Sequence, residues 1–193
     1  MKFNPELINE LICSRRSIFP SSYIDKEIPK AIIEQVLENA NWAPTHKRTE
    51  PWRFKIMTGA AKSQMGEFMA NWYRKNTSDE KFSPIKMKKL QNNPAKAGCL
   101  IAVCMKRDPK ESIPEWEEIS SVAMAVQNMY LTCTAYGIGS YWSSPKPSLM
   151  SGDFLKLEEG ERCLGLFYMG YFDSDLPEGR RESPAAEKVV WMS

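Results

Sequence analysis

The run AGCLIAVCMK, residues 97–106, decides the fold. Its apolar stretch is continuous, not alternating, and it has the length of a strand. That pattern belongs to a central strand buried on both faces. A second run, CLGLFYMGYF at residues 163–172, reads the same way. Between them, residues 115–136 read as one long helix. Its section SVAMAVQNMYLTCTA (121–135) is apolar or small nearly all round, so it belongs inside the core. Working outward, residues 53–58 form a short strand candidate, and Ser140-Tyr141-Trp142 form another that ends at SSPKP. Residues 5–14 read as a helix through Leu7, Ile8, Leu11 and Ile12. Pro29 opens a second helix, with Ile32, Ile33, Val36, Leu37 and Ala40 on one face, and Pro44 stops it. Gly59 opens a third helix through Lys75, a polar basic stretch with Lys86, Lys88 and Lys89 follows, and a short helix is expected at 153–158. Strands separated by helices exclude an all-β sandwich.

The chain of 193 residues suits one domain, with 42% hydrophobic and 26% charged residues. Its 26 Lys+Arg against 24 Asp+Glu leave a net charge of +2, which gives little reason to expect nucleic acid or a membrane surface as partner. Glu6 and Glu10 interrupt the N-terminal stretch where a secretion signal would be apolar, and no membrane-length apolar run follows. Cys13, Cys99, Cys104, Cys133 and Cys163 are odd in number and form no CxxC pair. Four of them lie in apolar runs, as small buried hydrophobes would, and a cytoplasmic location is expected. One histidine excludes multi-histidine metal sites and any mechanism needing two imidazoles. If the protein is an enzyme, the hard chemistry belongs to something it binds.

Four constellations stand out. Arg15-Arg16-Ser17 offers guanidinium forks and a hydroxyl to an anion, or complements the negative end of the preceding helix. His46 lies in an aromatic-flanked loop, between Trp42 and Trp52, where it either bonds a polar ligand or satisfies a carbonyl. Trp142-Ser143-Ser144 sets an aromatic face beside two hydroxyls, which suits a flat polar ring. Arg180-Arg181 reads alone as a solvated turn. Gly137-Ile138-Gly139 follows a helix and precedes a strand, the reverse of a Rossmann fingerprint, so it reads as a helix cap and turn.

Taken together, SRRS, ANWAPTHKRTEPWRF (40–54), AYGIGSYWSSP, GLFYMGY and the tail RRESPAAEKVVWM resemble the nitroreductase family of flavin enzymes, in its short-chain bacterial NAD(P)H nitroreductase subgroup. The resemblance implies an α+β, nitroreductase-like fold: a small, mostly antiparallel sheet wrapped by helices, as a single domain over residues 1–193. It implies an intertwined homodimer with two FMN molecules at the interface, the tail from about residue 173 wrapping the partner. It assigns FMN contacts to Arg15, Arg16 and Ser17, to Trp42 and His46 from the other subunit, to Trp142, Ser143 and Ser144, and to Arg181 or Arg180 at the phosphate. It gives Arg15 or Arg16 the N1–O2 edge of the ring, and residues 132–137 the nicotinamide. Trp42 and Ser143 stand where some relatives carry Arg, and the Glu-Gly of the longer branch has no counterpart. The implied activity is hydride transfer from NAD(P)H to FMN, then reduction of a nitroaromatic or quinone in a ping-pong cycle, with no catalytic side chain. The alternatives are a dehydrogenase or dehalogenase of the same fold, or a non-catalytic flavin-binding protein.

Overall fold

The computed structural model describes residues 3–192. Four strands, β1 (Trp52–Met57), β2 (Cys99–Lys106), β3 (Gly139–Ser143) and β4 (Glu161–Gly170), form one antiparallel sheet in the order β1-β2-β4-β3. β2 is internal and buried along almost its whole length, as its unbroken apolar run requires. Seven helices surround the sheet: α1 (Pro5–Ser14), α2 (Lys30–Asn41), α3 (Ala60–Lys75), α4 (Pro84–Lys96), α5 (Glu115–Ala135), α6 (Lys146–Leu149) and α7 (Gly152–Leu155).

The pleat of β2 divides the core in two. Cys99, Ile101, Val103 and Met105 meet Val36 and Ala40 of α2 and Val122, Ala125 and Met129 of α5. Leu100, Ala102 and Cys104 face the other way, onto Met65, Met69 and Tyr73 of α3 and Leu90 of α4. The sheet is thus the middle of three layers, with β3 at one edge.

Two elements differ from the sequence expectation. The basic stretch is a helix, α4, begun by Ser83, whose hydroxyl accepts from the Lys86 amide, with Pro84 in the first turn. It buries only Leu90 and Pro94, too few apolar positions to print a helical period on the sequence. The helix expected at 153–158 is replaced by the single turns α6 and α7, the second ended by Lys156 in the left-handed region (φ 50°). Four of the five cysteines are buried, and Cys13 is exposed. Among the described residues no group of acidic, His and Cys side chains could hold a metal ion, and no helix is long and apolar enough to cross a membrane.

Candidate functional site

The free edge of β3 organises the site. The chain leaving α1 pairs with it: Ser17 bridges Ser140, and the Ile18 amide donates to the Ser140 carbonyl at 3.0 Å. This brings Arg15 and Ser17 to the edge of the strand that carries Trp142. All three converge on Tyr130 of α5. The Tyr130 hydroxyl accepts the Trp142 amide at 2.6 Å and bonds the Ser17 hydroxyl, while the Arg15 guanidinium lies 5.1 Å over the ring. The ring packs edge-on to Phe167 at 4.9 Å. Burial raises the pKa of the Tyr130 phenol, so it stays neutral at physiological pH. The sequence hid Tyr130, because one tyrosine in an apolar helix reads as core; its hydroxyl was the available signal.

Gly165 on β4 supports this strand from below. Its φ of +138° excludes other residues, and a Cβ there would lie 2.6 Å from the Ser143 carbonyl and 2.8 Å from the Trp142 indole nitrogen. That nitrogen, Nε1, is a buried donor with no partner among the described residues. A donor held so close to the site without an acceptor is a place for a polar group that the polypeptide itself does not supply.

Tyr141 and Ser143 point to the other face of β3. There a cavity of about 350 Å³ opens between β3 and α4. Phe19 and Tyr141 form one wall, with centroids 4.6 Å apart, and Ser143, Lys86, Lys89 and Asn93 supply the polar lining. Flat aromatic walls beside ammonium and amide groups suit a planar, electron-rich ring. Lys86, Lys89 and Asn93 were missed in the sequence along with the helix that carries them.

Arg16 takes a different part from Arg15. Its guanidinium donates to the Cys13 carbonyl at 2.6 Å, to the Arg15 carbonyl at 3.0 Å and to the Pro177 carbonyl at 2.8 Å. It therefore caps the negative end of α1 and clamps the C-terminal tail to it. Gly179 lies against the same guanidinium, so that an added Cβ would displace that end of the Arg16 side chain. Arg180 and Arg181 follow at once, both exposed; Arg181 bonds only the neighbouring Arg180 carbonyl, and Arg180 lies 3.9 Å from Glu182. The tail thus carries the second arginine pair past the first.

Trp42 and His46 do not join the cluster within one chain. Trp42 is 78% exposed and its indole donates to Glu38 at 3.0 Å. His46 Nδ1 lies 2.5 Å from Glu117 at the start of α5. Glu117 and Tyr130 are separated along that helix by about 20 Å at 1.5 Å per residue. Residues 132–137 are mostly helix end: Thr132 and Cys133 are buried in α5, and Tyr136 is half exposed. Ser144 follows β3, one residue beyond the strand.

The nitroreductase family matches residues 12–171 of the chain. The chain belongs to the nitroreductase family. As such it is an oxidoreductase by family and fold. Among its relatives is YfhC of Bacillus subtilis, named provisionally as an NAD(P)H nitroreductase, which is 26% identical over 190 residues, 96% of this chain and 94% of that protein. A nitroreductase-like family protein from Bacillus cereus is 27% identical, with a TM-score of 0.82 over 100% of this chain and 98% of the other. The FMN-dependent nitroreductase NfnB from Mycobacterium smegmatis, solved in complex with NADPH, shares the fold at 16% identity, with a TM-score of 0.75 over 97% and 99% of the two chains. These likenesses bear out the α+β fold read from the sequence.

Proposed function

We propose that the protein is an FMN-dependent oxidoreductase that draws on NAD(P)H and reduces a second small molecule such as a nitroaromatic or quinone. The observation that carries this reading is the aromatic, lysine-lined cavity on one face of β3, with Arg15, Ser17 and Trp142 gathered on Tyr130 at the opposite face of the same edge strand. Gly165 lets the Ser143 carbonyl and the Trp142 indole sit close against β4, and the buried Trp142 Nε1 remains a donor for an incoming polar group. The family and the names of its relatives point to the same cofactor and donor.

When bound, FMN would supply the redox chemistry, as acceptor of hydride from NAD(P)H and donor of electrons to the second substrate. The chain's residues hold and bias it. Arg15, with Arg180 or Arg181 carried in by the tail, offers guanidinium forks to the phosphate. Tyr130 fixes the backbone of Trp142, so that Trp142, Ser143 and Ser144 run beside the ring. Lys86 and Lys89 bring positive charge to the cavity, which favours the electron-rich reduced ring. This role suits the lysines better than Arg16, whose donors are held by carbonyls. No side chain at the site is required to move a proton. His46, hydrogen-bonded to Glu117, serves to place a loop.

The functional unit in this reading is a homodimer. Leu7, Ile8 and Ile12 of α1, Trp42, Trp116 and the terminal Val190, Trp191 and Met192 are all exposed apolar groups. Two chains pairing antiparallel along α5 would bring Trp42 and His46 of the partner subunit toward the Tyr130 cluster, and the tail from about residue 173 would dock its apolar end on the neighbour. Purification tests the proposal: yellow protein with flavin absorbance, bleached by NADH or NADPH, is expected. A chain that stays colourless after incubation with FMN refutes it. If Arg15→Ala and Arg181→Ala both leave FMN affinity unchanged, the phosphate assignment fails.

A further inference from the structure

Cys104 and Cys163 stand directly opposite each other on β2 and β4. Both side chains lie on the α3 face of the sheet, among Met65, Leu155 and Leu166. Directly opposed residues of an antiparallel pair have Cα atoms about 4.5–5.5 Å apart, inside the roughly 4.4–6.8 Å that a disulfide spans. Each thiol donates to a backbone carbonyl on its own strand, Cys104 to Ala102 at 3.8 Å and Cys163 to Gly165 at 3.5 Å. The remaining cysteines are excluded by position: Cys99 and Cys133 pack on the opposite face, and Cys13 is alone on the exposed side of α1.

We propose that Cys104 and Cys163 form a reversible dithiol–disulfide site, oxidised by hydroperoxides, beneath the strand that carries Trp142 and Ser143. Cys163 reacts first. It keeps 4% of its surface exposed while Cys104 has none, and the neighbouring Cys104 thiol lowers its pKa. Its sulfur attacks one peroxide oxygen, the O–O bond breaks, and the departing hydroxide takes up the thiol proton as water, leaving a sulfenic acid. The Cys104 sulfur then attacks Cys163, the S–S bond forms, the S–O bond breaks, and the second hydroxide leaves with the Cys104 proton as water. The two thiols lose two electrons and two protons in all, and the peroxide becomes two waters.

The site couples to β3 through one residue. The Cys163 thiol donates to the Gly165 carbonyl at 3.5 Å, and a β-bulge between the Val103 and Cys104 pairings leaves Leu164 unpaired beside it. Oxidation removes that donor next to the glycine that seats Trp142 and Ser143. This coupling, unlike the cross-link, rests on the proposed flavin reading.

The experiment uses the full chain with Cys13→Ser, treated with millimolar hydrogen peroxide, alkylated, digested and fragmented by mass spectrometry. The expected product is one cross-link, Cys104 to Cys163, two hydrogens lighter and reversed by dithiothreitol; Cys163→Ser leaves Cys104 reduced. Cys104 still fully alkylatable after treatment, Cys163 oxidised to a sulfinic acid without cross-link, or a bond to Cys99 overturns the proposal. FMN titration of the oxidised protein is expected to show at least about fivefold weaker binding, restored on reduction. Unchanged affinity overturns the coupling, whereas no FMN binding before oxidation overturns the flavin reading and leaves the cross-link result standing.

Discussion

Tyr130→Phe removes one oxygen from the point where the candidate site converges. The ring remains, so its edge-on packing against Phe167 and the Arg15 guanidinium above it are kept. Two interactions vanish: the acceptor for the Trp142 amide at 2.6 Å and the bond to the Ser17 hydroxyl. Trp142 is half-buried at a sheet edge, and its amide has no other acceptor close by in the strand pairing, because β3 faces α1's exit segment on that side. A buried donor left without a partner costs about 1–3 kcal/mol. Partial access to water at the edge puts the expected value at the lower end, about 1–2 kcal/mol.

The cost falls on the cofactor-bound state if the Tyr130 hydroxyl holds β3 in the shape that FMN meets. At about 1.4 kcal/mol per decade, 1–2 kcal/mol weakens FMN binding by roughly 5–30-fold. The assay is a titration of apoprotein with FMN, followed by quenching of flavin fluorescence, beside urea unfolding of the same apoprotein. The expected outcome is a Kd raised within that range. Apoprotein destabilised by 1–2 kcal/mol with FMN affinity unchanged would refute the reasoning, since Tyr130 would then serve packing alone.

Gly165→Ala forces a Cβ to within 2.6 Å of the Ser143 carbonyl at φ +138°, so a loss of about 2–4 kcal/mol is expected in urea unfolding, together with loss of bound flavin. Glu118 has no exposed surface and is ion-paired with Arg107 while accepting from the Asp108 amide at 2.9 Å; Glu118→Ala is expected to cost about 3–5 kcal/mol, read as a lower denaturation midpoint. Asp108 accepts from the Ser112 hydroxyl and from the Ser112 and Lys110 amides, which hold its pKa below the ordinary 3.8. Its folded value is depressed, so its contribution is complete above the ordinary value and lost as pH falls through the folded one. Protection of the Ser112 amide, its exchange rate relative to the intrinsic rate at the same pH, is therefore expected to fall below that window in wild type and to show no such step in Asp108→Asn.

The strands and the buried helix were legible because their burial is extreme. β2 is apolar on both faces, and α5 nearly all round, so each pattern has one reading. α4 was not legible: it lies on the surface of its layer, anchored by two residues, and seven of its positions between 86 and 96 are Lys, Gln or Asn. The cavity beside Ser143 went with it. The arginine pair shows a different limit. Sequence offered either a helix cap or an anion site, and the fold separates them, with Arg16 on the carbonyls of α1 and Arg15 over Tyr130. Spacing alone cannot divide two adjacent guanidiniums whose backbones turn apart at a helix end.

The loop around His46 supplies the remaining argument. Lys47, Arg48 and Glu50 all have φ between 41° and 56°, a region that costs non-glycine residues about 1 kcal/mol or more each. The chain holds this strain in place with several ties: His46 to Glu117, the Lys47 ammonium to the Ser112 carbonyl at 2.8 Å, and Thr45 to Thr49 at 3.2 Å. Within one chain Thr45 and His46 line an open cavity of about 310 Å³ with Trp116, Glu117 and Met124, about 20 Å along α5 from the Tyr130 cluster. A loop held in this conformation at an exposed end of α5 presents a fixed shape to another surface. In the homodimer proposed above, a second copy paired antiparallel on α5 would supply that surface, because the two-fold relation that removes each loop from its own site would deliver it to the neighbour's.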